Sequence, residues 1–215
     1  MARAFRVLTA LAAWTGLGIQ LWLLLSDSDF GSPVWAIWRF LAYFTILTNV
    51  LVAVTASASA IAPASALGRF VATAQARAAV LLYIAVVAIV YHLVLAETWE
   101  PMGLQLTADQ LLHTAIPALV ALGWVFFDNK RGLSFSALPA MLVFPVGYAL
   151  YALVRGGFDG FYPYPFIDVS EIGYARVLMN VAGLAGAFLA GGVVVIALGR
   201  MLAGPDRPPK RKWQS

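Results

Sequence analysis

The sequence has no cysteine, only two histidines and little charge: 11% of its 215 residues are Asp, Glu, Lys or Arg, against about a quarter in soluble domains. Without a thiol there is no disulfide, no cysteine nucleophile and no Cys-ligated metal. The two histidines, His92 and His113, stand far apart with no ligand-spacing signature, so neither a metal site nor a cofactor is predicted. Scarce charge goes with 62% hydrophobic residues and a mean hydropathy of +0.84, which marks an integral membrane protein. The net charge of +4 is then no sign of a nucleic-acid partner, and what matters is where the charges fall.

What is present is a series of six apolar segments, roughly 5–25, 34–61, 78–97, 110–127, 134–155 and 174–203. Each reaches the ~20 residues that a helix needs to cross a bilayer core. They predict an all-α, polytopic membrane protein with a six-helix transmembrane domain over 1–203 and a short basic tail over 204–215. The first run, after Arg3 and Arg6, ends at Ser26-Asp27-Ser28-Asp29 without a cleavage site, so it reads as a helix and not as a secretory signal.

Sorting the charges by alternate loops supports the number six. Eleven of the fourteen basic residues, from Arg3 and Arg6 through Lys130 and Arg131 to the Lys210–Lys212 tail, fall on one side, and eight of the ten acids fall on the other. The positive-inside rule places both termini in the cytoplasm. Trp35, Trp38, Trp99, Phe161, Tyr162 and Tyr164 gather near the opposite interface, as aromatic belts do. Pro163 and Pro165 stiffen that stretch, and 162–166 is expected to form an ordered outer cap.

Polar groups inside apolar runs are costly and turn toward the bundle interior. On the second segment Thr45 and Asn49 are four residues apart and share a face, with Ala42 and Thr48 on its flank and Arg39 near the outer mouth. On the fourth, Thr107-Ala108-Asp109-Gln110 resembles a capping box, which would put His113 just over one turn inside the helix. The third segment carries Tyr91 and His92, the fifth Tyr148 and Tyr151, and the sixth Asn180. A threonine in a membrane helix usually bonds its own i−4 carbonyl and a buried histidine usually bonds a neighbouring helix. A hydroxyl, an imidazole and an arginine near one face could equally supply a nucleophile, a general base and an anion anchor.

WRFL at 38–41, LLHTAIP at 111–117, VGYALYAL at 146–153 and YPYPFIDVSEIGYAR at 162–176 together resemble the androgen-induced-gene family, with its androgen-dependent regulators of tissue-factor-pathway inhibitor and its bacterial six-span relatives. The resemblance implies an intramembrane threonine hydrolase of fatty-acyl carboxyl esters, related to those acting on fatty acid esters of hydroxy fatty acids, in a bacterial inner membrane with membrane lipids as surroundings and an acyl-ester lipid as substrate. It implies His113, of the His113-Thr114 pair, as base. Where the family places its threonine, this chain has Ala42, and the nearest hydroxyl is three residues later at Thr45, about 4.5 Å further along a helix. Thr45 is therefore the expected nucleophile, with Thr48 in reserve and His92 as the alternative base. Asn49 or Tyr148 is expected to serve the oxyanion, Arg39 a substrate anion, and Asn180 the binding site. Asp109 is only a weak candidate for orienting the base, so a dyad is expected. The competing class is a lipid- or small-molecule-binding membrane protein, or a transporter, using the same interior without chemistry.

Overall fold

The computed structural model describes residues 1–27 and 31–203; the basic tail at 204–215 lies outside them. Helix α1 runs over Ala2–Ser26, α2 over Pro33–Phe40, α3 over Phe44–Ile61, α4 over Ala66–Val71 and α5 over Ala74–Val90. Then follow α6 (Leu104–Gln110), α7 (Ile116–Phe127), α8 (Leu138–Asp159) and α9 (Val169–Ala203). A π-helical turn at Tyr91–Leu95 extends α5, and another at Leu111–Ala115 joins α6 to α7. Among the described residues six helical stretches are long and apolar enough to cross a membrane, in agreement with the six apolar segments.

The helices stop where the local chemistry says they should. Ser32 caps α2 through its side chain with Pro33 in the first turn, and Thr73 caps α5. Gly160, at φ +70°, ends α8 in the left-handed conformation that only glycine adopts without strain. Gly173, at φ +74°, breaks the α9 run near its start, so the spanning part begins at Tyr174 as the sequence indicates.

Helix α1 packs on α3 and α6, α5 packs on α3, α7 and α9, and α8 lies outermost beside α9. Leu82, Ile84, Leu112, Ile116, Val177 and Ile196 are at most 2% exposed and form the centre. Phe5 at the start of α1 meets Phe127 at the end of α7 with ring centroids 5.1 Å apart, and Gly199 near the end of α9 lies against Leu133 and Trp124. The start of α1 and the end of α9 thus share the end of the bundle that carries Arg6, Arg77 and Lys130, here termed the basic end. Asp109, Asp159 and the 162–166 segment lie at the opposite, acidic end. There Tyr164 is 8% exposed and stacks on Phe166 at 5.1 Å, and Pro165–Ile167 forms one tight helical turn, so the segment is an ordered cap.

Candidate functional site

The second apolar segment is not one helix. It breaks at Leu41-Ala42-Tyr43, where Tyr43 is extended (φ −89°, ψ 133°), and restarts as α3 at Phe44. Non-helical backbone at membrane depth is tolerated only where the protein itself satisfies it. Here the partners are phenols from α8 and the cap: Tyr148 donates to Ala42 O at 2.8 Å, and Tyr151 donates to Leu41 O at 3.2 Å. Tyr164 accepts from the Thr45 N–H at 3.4 Å, so it helps to cap a helix whose own N-cap residue offers no side-chain bond. Burial pushes the Tyr164 phenol above its usual pKa range, while the side chain and N–H of Thr45 oppose that shift. The break corrects the placement of Thr45 by counting along one continuous helix. Thr45 is the second residue of a new helix, at its positive end, and Ala42 is not on the same helix face.

The fourth segment also departs from its expected start. Helix α6 begins at Leu104 after Gly103 (φ +59°), so Thr107 is inside the helix and donates to Gly103 O at 3.4 Å instead of acting as a cap. His113 then lies more than two turns from the helix start and falls in the π turn, where Ile116 N–H reaches back to Leu111 O. Pro117 follows four residues after His113 and has no N–H to give its carbonyl, which accounts for the ladder slipping at this point.

The π turn aims His113 at Asp109. His113 Nδ1 lies 3.1 Å from Asp109 Oδ1 and 3.1 Å from Asp109 O. Two acceptors face one ring nitrogen, an arrangement that favours a proton on Nδ1. Asp109 is 2% exposed, and its second oxygen accepts from the Tyr91 hydroxyl at 2.6 Å. The Tyr91 ring stacks on the His113 ring at 3.8 Å with 9° between planes. Tyr91 itself opens the π turn of α5, so two π turns face each other across this contact. A carboxylate and a phenol therefore stand behind His113, and Asp109, expected to be only a weak candidate for orienting it, holds the ring directly.

Two cavities meet at Thr45. The larger, about 380 Å³, is lined by Thr45, His113, Asp109, Tyr43, Gln20 and Gln105 among others. The smaller, about 90 Å³, is apolar and runs between α5, α8 and α9 past Phe44, Val90, Pro145, Leu184 and Phe188. Thr45, Tyr91, Leu95 and Tyr164 border both. No hydrogen bond joins Thr45 to His113 among the described residues, and both line the larger cavity.

The other candidates are elsewhere or engaged. Thr48 and Asn49 are fully buried and line neither cavity. The Asn49 amide nitrogen donates to Thr45 O at 2.9 Å and Leu112 O at 3.3 Å, tying α3 to the π turn, so it is not free for an oxyanion. Tyr148 spends its proton on Ala42 O and borders only the apolar cavity. His92 pairs with Thr114 at 3.1 Å on an exposed face and lines neither cavity that Thr45 borders. Asn180 donates to Phe166 O at 2.8 Å and anchors the cap. Arg39 lies over the Phe161 ring, 3.4 Å from its centroid, and is not in the cavity wall.

Sequence reading left out Gln20, Gln105 and the role of Tyr91. A hydroxyl next to a histidine, as in Tyr91-His92, draws attention to the histidine; that it is the tyrosine that turns inward follows from the π turn, which no spacing rule announces. Groups of three or more His, Cys, Asp or Glu able to hold a metal are absent among the described residues. No family model, curated protein or solved structure matches the chain.

Proposed function

We propose that the protein is an intramembrane hydrolase of fatty-acyl carboxyl esters, with Thr45 as nucleophile and His113 as general base, its termini in the cytoplasm of a bacterial cell and its cavity toward the outer face. The observation that carries this reading is that Thr45 and a histidine oriented by a buried carboxylate border one cavity of about 380 Å³. The resemblance of WRFL and LLHTAIP to the androgen-induced-gene family points the same way.

In this reading an ester carbonyl sits between Thr45 and His113. His113 Nε2 takes the Thr45 proton as Oγ1 attacks, and the tetrahedral centre collapses with that proton passing to the leaving alcohol. Water then attacks the acyl-threonine with the same base. The developing oxyanion forms at the positive end of α3, whose dipole favours negative charge beside Thr45. Asp109 keeps His113 in the Nδ1–H tautomer and supports the imidazolium. The apolar cavity beyond Thr45 suits the start of an acyl chain, which then runs out between α8 and α9 toward lipid. Turnover of a p-nitrophenyl acyl ester by purified protein tests the reading: loss in both Thr45→Val and His113→Ala supports it, and retention in either ends it. A protein that holds acyl lipid but turns over no ester is the binding protein of the competing class.

A further inference from the structure

The side of the cavity away from the acyl chain has its own chemistry. Gln20, in the outer third of α1, and Gln105, in the first turn of α6, both line it, and Gln105 Nε2 donates to Gln20 Oε1 at 2.8 Å. Both are partly buried. That contact spends one N–H and one lone pair of the two amides and leaves donors and acceptors over on both. The proposed mechanism uses neither residue.

The charge around them is as informative as the amides. Among the described residues lining this cavity there is no lysine or arginine. The one carboxylate in its wall, Asp109, is committed to His113 and Tyr91. Arg39, the cation the sequence offered as an anion anchor, lies on Phe161 outside the wall. A carboxylate brought in here would lose water, meet no cation in the wall itself and approach an existing negative charge, while Arg39 sits on Phe161, the ring next to Tyr43, so the wall disfavours it. A hydroxyl or amide would lose water and find both a donor and an acceptor in the glutamine pair.

Resting on the hydrolase reading, we infer that Gln20 and Gln105 form a headgroup subsite selecting acyl esters whose alcohol part carries a neutral hydrogen-bonding group, such as a free hydroxyl, over those whose alcohol part carries a carboxylate. The acyl chain lies on the far side of Thr45 and the alcohol part on the glutamine side, so the two halves of the ester are read by different walls.

The experiment uses two palmitoyl esters of similar length, 1-palmitoylglycerol and the palmitoyl ester of 3-hydroxybutyrate, bound to the Thr45→Val full-length protein in detergent. That variant separates binding from turnover. The glyceryl ester is expected to bind about tenfold or more tightly than the carboxylate ester, because a site built for hydrogen bonds rejects a group that leaves them unmade. Gln20→Leu and Gln105→Leu should each bring the two affinities to within about threefold of each other. Gln105→Lys, which supplies the missing cation, should reverse the order. Equal or tighter binding of the carboxylate ester, or a preference unchanged in both leucine variants and in Gln105→Lys, overturns the subsite. Turnover of a p-nitrophenyl ester by the protein with Thr45 intact reports on the other reading. If that turnover is absent while the glutamine-dependent preference holds, the hydrolase reading falls and the subsite stands as the headgroup site of a lipid-binding protein. If turnover is present without the preference, the subsite falls alone.

Discussion

At the basic end, Arg6 and Arg77 converge on one carboxylate, Asp128 Oδ1, at 3.3 and 3.7 Å, whereas at the acidic end the carboxylate of Asp109 faces a neutral phenol and an imidazole. The first arrangement joins α1, α5 and the end of α7 by charge, and Arg77 adds a bond to Ser59 of α3. Beside it, Lys130 is 7% exposed, its amine donates to Val125 O and Asp128 O at 3.0 Å each, and burial lowers its pKa while Asp128 works against that shift. Only about 40 Å³ of space remains around the two arginines. The second arrangement leaves one side of the imidazole facing about 380 Å³ of cavity. Both ends bury charge, but one uses it to close a helix junction and the other to aim a titratable ring at an open space. The second is where chemistry is affordable, since a polar network held behind a cavity is preorganised without being sealed.

The largest effect separating the two ends is expected at Thr45. Thr45→Val removes the hydroxyl while nearly keeping the shape, and should lower ester turnover by about a thousandfold or more, to the level without nucleophile. His113→Ala should match it, and the double variant should be little worse than either single one, because residues acting as a unit are not additive. The measurement is initial rates on a p-nitrophenyl ester alongside size-exclusion profiles of each variant. Additive losses would break the link between the two residues.

Next in size is the support behind the base. Asp109→Asn replaces an acceptor by an amide and allows the ring to present the wrong nitrogen, so turnover should fall by about a hundredfold. Tyr91→Phe, which keeps the stacked ring and deletes the 2.6 Å bond to Asp109, should cost about tenfold. Both are positioning residues, and nitrogen-15 NMR of the His113 ring should show the Nδ1–H tautomer in the parent protein and a mixed population in Asp109→Asn. An unchanged tautomer with lost activity would mean that the carboxylate acts in another way.

The same operation at the basic end should do the reverse. Asp128→Asn leaves Arg6 and Arg77 without their shared anion, and the pair is only partly exposed, at 27% and 12% for the arginines and 10% for the aspartate. Discounted for that exposure, a loss of about 2 kcal/mol in stability is expected. Ester turnover per folded molecule should stay within a few-fold. Chemical denaturation in detergent gives the first number and initial rates give the second. A large activity loss without destabilisation would mean that the two ends are coupled.

The six spans and the ordered cap were legible in the sequence because they rest on composition, and burial in lipid leaves composition little freedom. The break in the second span was not legible. WRFLAYFTILTN holds no glycine or proline, and its residues 40–44 at the break are apolar or aromatic with no helix-stop signal. What stops the helix at Leu41–Tyr43 is the pair of phenols on α8, Tyr148 and Tyr151, more than 100 residues away. Asp109 and His113 were visible as a pair four apart, yet the π turn that brings them together depends on Pro117 at a position where a kink is only one outcome. Gln20 and Gln105 lie 85 residues apart and carry no motif. Residues joined by helix packing alone leave no local trace, which is why His113 stood out in the sequence and its surroundings did not.

The smallest effect concerns Thr48, and it sharpens the comparison inside α3 itself. Thr45 and Thr48 are three residues apart on one helix, and sequence alone made either a possible nucleophile. Thr45 borders two cavities, while Thr48 is fully buried, lines neither, and its hydroxyl has no hydrogen-bond partner among the described residues. An unmet buried hydroxyl opposes folding, so replacing it by a methyl of nearly the same shape should be neutral or stabilising, by up to about 1 kcal/mol. Thr48→Val is therefore expected to leave ester turnover within about twofold of the parent and to raise the denaturation midpoint slightly, where Thr45→Val does the opposite on activity. A water buried beside Thr48 would give the hydroxyl a partner, and the substitution would then destabilise by a similar amount without touching turnover. Loss of turnover in Thr48→Val with Thr45→Val active would move the nucleophile one turn along α3, away from the cavity that His113 lines.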